Sequence, residues 1–188
     1  MNTKEKILDA ALMLVAKYGT NKTSMALIAE KSGIAKASLY HYYKSKDELL
    51  LDMYHNARKI SVNLPTINFN NEPIIILKEC FKNYLLLCEN EKMKQIFMII
   101  ESEKFISDIA GALYKEETNE VINKNELLFK KLFSNLSAND IKTKSHIYSL
   151  YAHELVILYI LNEYTLEQCL SLIDDFINSL NLRGSKNE

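Results

Sequence analysis

The chain of 188 residues has no tryptophan, two prolines and four glycines. Breakers this scarce argue against sandwiches and barrels, which need a tight turn every ten residues or so. Cysteine is nearly absent too: Cys80, Cys88 and Cys169 lie among apolar neighbours with no CxxC spacing. On one helix Cys80 and Cys88 stand about 12 Å apart along the axis, at ~1.5 Å of rise per residue, too far for a disulfide. They read as buried thiols. The formal net charge is only −1. No membrane-length apolar run opens the chain, because Lys4, Glu5, Lys6 and Asp9 interrupt the first segment and Lys17 ends it. With no small-residue cleavage site either, the expectation is a cytoplasmic protein without signal peptide or membrane contact. GxSxG, P-loop, HExxH and dinucleotide glycine signatures are all missing, so no enzyme, catalytic residue or cofactor is expected.

What is present is helical pattern. Apolar residues make up 48% and charged residues 25% of the chain, and their spacing predicts an all-α fold. Ile7, Ala10, Ala11, Leu14, Val15 and Tyr18 recur at three- and four-residue steps, one face of a helix that Gly19 can end. Thr23 or Ser24 can cap a second helix through Lys31, with Met25, Ile28 and Ala29 on its apolar side. After Ser32-Gly33-Ile34 a third helix runs from Ala35 to about Tyr43, and a fourth from Asp47 to about Asn63. The stretch from Val62 to Pro73 holds both prolines and four asparagines and is the one clear linker. Beyond it, Pro73 suits the first turn of a fifth helix. Further helices are predicted over about 91–102, 105–135 and 140–163. Thr165 and Gln168 then form a capping box for a last helix ending near Leu182.

The near-zero net charge hides an asymmetry. Residues 1–60 carry ten Lys or Arg against six Asp or Glu, while the rest carry thirteen against eighteen. Positions 17–46 hold six lysines and one acid, Glu30, the patchiness of a surface that binds a polyanion. The stretch KSGIAKASLYHYYKSK, residues 31–46, sits at its centre. Two short helices joined by a glycine-containing turn describe a helix-turn-helix, whose second helix enters the DNA major groove. At 100° per residue Ala35, Leu39 and Tyr43 share one stripe and face the core. Lys36, Ala37, Tyr40, His41 and Lys44 share the other, which has donors of several lengths and no acid. Lys46 adds a cation, and Ser24 offers a helix N-terminus to phosphate. The competing interpretations are plain: Tyr40 and Tyr42 as packing aromatics, His41 as a solvated residue.

These residues carry a resemblance. TSMALIAEKSGIAKASLYHYYKSKDELL, Thr23 to Leu50, resembles the N-terminal domain of TetR/AcrR-type bacterial transcriptional regulators, over roughly residues 3–55. The resemblance implies an all-α homodimer with a three-helix DNA-binding head and a connecting fourth helix. A variable C-terminal bundle then binds a small effector, and the last two helices form the dimer interface. Such proteins are usually repressors released by ligand. Carried over position by position, Thr23, Ser24, Lys36, Ser38, Tyr40, His41, Tyr42 and Lys46 match DNA-contacting places. Many members have glycine at the position of Ala37 and phenylalanine at that of Tyr43. The Ala37 methyl is placed to meet a thymine methyl, and a buried Tyr43 needs a partner for its hydroxyl. The expected division is therefore 1–46 for the DNA-binding domain and 47–188 for effector binding and dimerisation, with 47–63 as the connecting helix.

The C-terminal part is rich in aromatic and thioether side chains. If the family's architecture holds, an effector cavity lies among helices four to eight, with Tyr84, Phe97, Tyr114 and Tyr148 as candidate lining, suited to a hydrophobic or aromatic ligand. The run IYSLYAHELVILYIL, residues 147–161, is apolar on nearly every side and needs partners on two. Tyr151, Leu155 and Leu158, with Leu166, Leu170, Ile173, Phe176 and Ile177 of the last helix, are the expected interface. It would set two reading helices one DNA turn apart on a palindromic duplex. His146 and His153 lie two turns apart, about 10 Å, and cannot share one metal ion. The alternatives to a ligand-responsive repressor are a helix-turn-helix serving as a protein-docking module and a metal- or redox-responsive sensor built on Cys80, Cys88, His146 or His153.

Overall fold

The computed structural model describes residues 2–59 and 62–182, and among them there are nine α-helices and no strand. α1 (Thr3–Tyr18) opens on a capping box in which Asn2 Oδ1 accepts from the Glu5 N–H at 2.9 Å, and Glu5 accepts from the Asn2 N–H at 2.8 Å. Gly19, at φ 80°, ends it. For α2 (Met25–Ser32) the structure selects Ser24 over Thr23 as the cap, Ser24 Oγ accepting from the Leu27 N–H at 3.2 Å. Gly33 then adopts the left-handed conformation, φ 71°, and its N–H closes on the carbonyls of Ala29 and Glu30. α3 (Lys36–Tyr42) begins after Ala35 with no side-chain cap. α4 (Lys46–Ala57) is capped by Ser45, and Glu48 reaches back to the Lys44 N–H at 2.8 Å.

α4 is shorter than the expected run to Asn63. Val62 and Asn63 are weak helix formers, and Pro65 disfavours helical geometry at the residue before it. α5 (Pro73–Leu87) starts on its proline, and α6 (Glu91–Glu103) is capped by Asn90. α7 (Asp108–Leu132) and α8 (Ala138–Ile160) follow, and α9 (Leu166–Ser179) starts on the expected Thr165–Gln168 capping box. α9 stops at Ser179, short of Leu182, and Asn181 just after it has φ 47°. None of the described helices is long and apolar enough to cross a membrane.

The chain divides into two compact units. The first is Met1–Val62 with Asn90–Lys115, so α4, α6 and the start of α7 pack with the helix-turn-helix. A physical reason is supply of core. Leu49, Leu50, Met53 and Tyr54 of α4 and Ile96, Ile99 and Ile100 of α6 enlarge the cluster that Ile7, Ala11, Val15, Ile28 and Leu39 begin, and a segment of 46 residues is small for a core of its own. The second unit is Asn63–Glu89 with Glu116–Glu188. Its core sets Phe129 5.4 Å from Phe133 and 5.5 Å from Tyr148, ring centre to ring centre, beside Leu77, Phe81, Leu85, Val156, Cys169 and Ile173. A polar seam crosses it, with Asn125 Nδ2 donating to Ser149 Oγ at 2.9 Å.

α8 and α9 correct part of the interface expectation. Leu155, Ile173 and Ile177 are sealed in the unit's own core, no more than 2% exposed, and offer nothing to a partner. Tyr151 and Phe176 stack on each other at 4.2 Å and are half-buried, as are Leu158, Leu166 and Leu170. The exposed apolar side chains are instead Ile147 and Leu150 of α8, with Leu161 and Tyr164 just beyond its end and exposed Glu154 between them on the same face. The sequence could not choose among faces because α8 is apolar on nearly all of them.

Candidate nucleic-acid interface

A seven-residue helix such as α3 does not hold itself together in water, so its direction is set by what it buries. Leu39 is wholly buried, a contribution of about 2 kcal/mol from the apolar area it removes from water. Ile34 packs against the same core from the turn. With Leu39 and Ile34 inward, Lys36, Ala37, Tyr40, His41, Tyr42 and Lys44 are all exposed and Ser38 is half-buried; Ala35, expected on the buried stripe, is exposed as well, because it stands extended at the N-cap before the helix begins. No acid occurs between Glu30 and Asp47. The structure therefore brings seven of the ten expected DNA-contacting residues onto or beside one outward surface, with the Glu48 carboxylate on the Lys44 N–H at its far edge.

Tyr43 closes the far end of α3. It is 3% exposed, and its hydroxyl donates to Asp52 Oδ2 at 2.6 Å. This is the partner that the sequence required and could not name. Asp52 is also paired with Lys4 Nζ at 2.8 Å, and the Lys4 ammonium stands 5.9 Å from the centre of the Tyr43 ring. Burial pushes the Asp52 carboxyl upward, but hydrogen bonds from Lys4 and Tyr43 and the charges of Lys4 and Lys59 outweigh it, holding the group below the usual carboxylate range. The Tyr43 phenol is driven far above its ordinary value, chiefly by burial, with the Asp52 carboxylate adding to it. It is a permanent donor. Tyr43 thus ties the end of α3 to α4 and, through Lys4, to α1.

The remaining three residues sit at the edges of this surface. Ser24 is exposed at the start of α2, where its Oγ accepts from the Leu27 N–H of that helix's first turn. Thr23 departs from expectation: it is 1% exposed and its hydroxyl donates to the Gly19 carbonyl at 2.9 Å, so its side chain shapes the turn and presents nothing outward. Lys46 is half-buried. Its ammonium donates to the carbonyls of Thr20 at 2.9 Å and Thr23 at 3.3 Å, pinning α4 to the turn before α2. Of its three donors, one is left for a phosphate. That turn is held from a second side, where Glu103 at the end of α6 accepts from the Thr20 N–H at 2.6 Å.

The aromatic residues proposed for an effector are divided between the units, with Phe97 and Tyr114 in the first and Tyr84 and Tyr148 in the second. Tyr148 is 2% exposed and its hydroxyl donates to the Leu77 carbonyl at 3.1 Å, so its polar end is already satisfied within the core. Lys104 Nζ lies 4.2 Å from the centre of the Tyr114 ring and is paired with Glu101 at 2.7 Å. Sequence reasoning missed the Lys4–Asp52, Lys46–Thr20 and Glu103–Thr20 contacts, because each joins residues far apart in the chain.

Comparison with known proteins places this geometry. The family described as "Bacterial regulatory proteins, tetR family" matches residues 7–53, the segment containing α2, α3 and most of α1 and α4. Among curated proteins, the HTH-type transcriptional regulator AcrR of Shigella flexneri is 25% identical over 114 residues, 57% of this chain and 53% of that relative. The chain thus matches about half of that relative's length. Among solved structures, MexZ of Pseudomonas aeruginosa, described as a key repressor responsible for antibiotic resistance, superposes with a TM-score of 0.70 at 21% identity, covering 98% of this chain and 96% of that one. AibR, solved with isovaleryl coenzyme A and operator DNA, gives 0.63 at 17% identity over 93% and 97% of the two chains. These structural likenesses extend the fold over nearly the whole chain.

Proposed function

We infer that this chain, whose N-terminal domain belongs to the tetR family of bacterial regulators, is a sequence-specific DNA-binding transcriptional regulator and not an enzyme, working as a homodimeric repressor in the cytoplasm. The observation that carries the proposal is the outward face of α3, fixed by buried Leu39 and by the Tyr43–Asp52 bond, and bearing Lys36, Tyr40, His41 and Tyr42, with exposed Lys44 just beyond its end and no acid among them in sequence. Lysines and phenols there meet phosphate oxygens, while His41 and the Ala37 methyl reach base edges. Ser24 and the N-terminal turn of α2 meet the backbone beside the groove. Residues 1–46 are the reading head, and residues 47–188 support, pair and regulate it.

Pairing rests on exposed Ile147 and Leu150 of α8 and Leu161 at its end, together with half-buried Leu158 of α8 and Leu166 and Leu170 of α9. A two-fold contact through them sets two copies of α3 about one DNA turn, ~34 Å, apart on a palindromic operator. Release by a small hydrophobic or aromatic effector is proposed by analogy with AibR, which was solved with an acyl coenzyme A and its operator. The test is selection of bound duplexes from a random library. A palindromic consensus whose retardation is competed only by matching sequence supports this function. Retention of all duplexes alike, or of none, removes it and favours a docking module.

A further inference from the structure

The turn between α6 and α7 carries Phe105 and Ile106, 89% and 73% exposed, the two most exposed large apolar side chains among the described residues. Backbone bonding fixes the turn that presents them. The Ile106 and Ser107 N–H groups both donate to the Glu103 carbonyl at 2.9 Å, and the Gly111 N–H donates to the Ser107 carbonyl at 2.8 Å. Gly111 lets this turn lie against the start of α7, since a Cβ there would stand 2.9 Å from the Lys104 carbonyl oxygen. The Lys104 ammonium, 5.4 Å from the centre of the Phe105 ring and 4.2 Å from that of Tyr114, braces Phe105 from one side. A rigid apolar projection into water calls for a cover.

The shape of its cover is given by the same patch. A hollow of about 350 Å³ adjoins the projection, lined also by Gly111 and Ala112, whose side chains are the smallest available, and by exposed Asp108 and Lys115. Asp108 and Lys115 stand seven residues, about 10 Å, apart along α7. Projection, hollow and charges of both signs thus lie together within the first unit. Such a surface is complementary to itself, which is the requirement of a two-fold contact between identical chains. The pairing surface at α8 also needs an addition. Ile147, Leu150, Leu161 and Tyr164 are the exposed large apolar residues there, 37–57% exposed, whereas a stable contact takes about 20 residues or more a side.

We propose that the α6–α7 turn is a second contact between two copies of this chain, Phe105 and Ile106 of each entering the hollow of the other, with Asp108 of each meeting Lys115 of the other. The proposal rests on the homodimer proposed above and adds to it a contact that holds the two helix-turn-helix units directly, because α6 and the start of α7 belong to that unit.

The test is sedimentation of the full chain over a dilution series, without DNA. A dimeric parent is expected, with Phe105→Ser raising the dimer dissociation constant by about tenfold or more, as for a central aromatic anchor. Asp108→Lys and Lys115→Asp should each weaken the dimer several-fold by setting like charges opposite one another. An equimolar mixture of these two variants should associate as tightly as the parent, since unlike charges then face each other only between copies. That recovery decides the matter if Phe105→Ser fails to fold. A monomeric parent overturns this contact together with the proposed pairing. A dimer indifferent to Phe105→Ser, or a mixture no tighter than its separate variants, overturns this contact alone and leaves the α8 pairing and the DNA-binding face standing.

Discussion

Replacing Tyr43 with phenylalanine, the residue that many TetR-type regulators carry there, should destabilise this protein. The ring is 3% exposed and its hydroxyl donates to Asp52 at 2.6 Å. A hydrogen bond to a charged acceptor contributes roughly 1.5–3 kcal/mol. Asp52 keeps its Lys4 partner at 2.8 Å, with the Lys4 side chain 54% exposed, so an exposed ion pair worth under ~1 kcal/mol remains. The expected loss for Tyr43→Phe is therefore about 1–2 kcal/mol at neutral pH, read from urea unfolding with an unchanged slope. The sign with pH follows from Asp52, whose carboxyl is held below its ordinary value in the fold. Its contribution is complete above the ordinary carboxylate value and is lost as pH falls through the lower, folded value. The Tyr43→Phe penalty should therefore shrink in acid, and Tyr43→Phe combined with Asp52→Asn should be less destabilising than the two single changes added together. A variant as stable as the parent at pH 7, or strict additivity, would refute the reasoning.

Lys46→Ala should cost about 1 kcal/mol by stranding the carbonyls of Thr20 and Thr23. It should also lessen the magnitude of the salt slope of operator binding by about 0.9 if the third donor meets a phosphate; an unchanged slope confines Lys46 to its structural role. Leu150→Asp, on the exposed strip of α8, should yield monomers in light scattering while leaving the helical circular dichroism intact, and a parent that is already monomeric defeats the proposed pairing. Iodoacetamide under native conditions should reach half-buried Cys80 before the two buried thiols, of which Cys88 has its thiol pushed up to about 12 by burial. Equal labelling by mass spectrometry would contradict the packing.

Local chemistry was legible wherever it was contiguous in sequence. Thr165 and Gln168 sit three apart and cap α9 as expected, Gly33 turns left-handed between α2 and α3, and Pro73 opens α5. Leu39 fell inward as the helical period requires, whereas Ala35 of the same expected stripe is exposed and Tyr43, already extended at the end of α3, is buried with its hydroxyl on Asp52. What could not be read was pairing across distance. Nothing in the sequence says that Tyr43 meets Asp52, that Lys46 reaches back to Thr20, or that Glu103 takes the Thr20 N–H. The inward turn of Thr23 depends on the Gly19 carbonyl, a backbone group invisible to residue patterns. On α8 the failure was one of degeneracy, since an apolar helix carries no mark separating the face of Leu155, which is buried, from that of Leu150, which is not.

The most direct test of the central claim is the salt dependence of binding to the selected operator for Lys36→Ala, at the exposed start of α3. An unchanged melting curve, weaker binding and a slope smaller in magnitude by about 0.9 are predicted for the loss of one phosphate contact. Operator affinity and slope identical to the parent would contradict the assignment of this face to DNA.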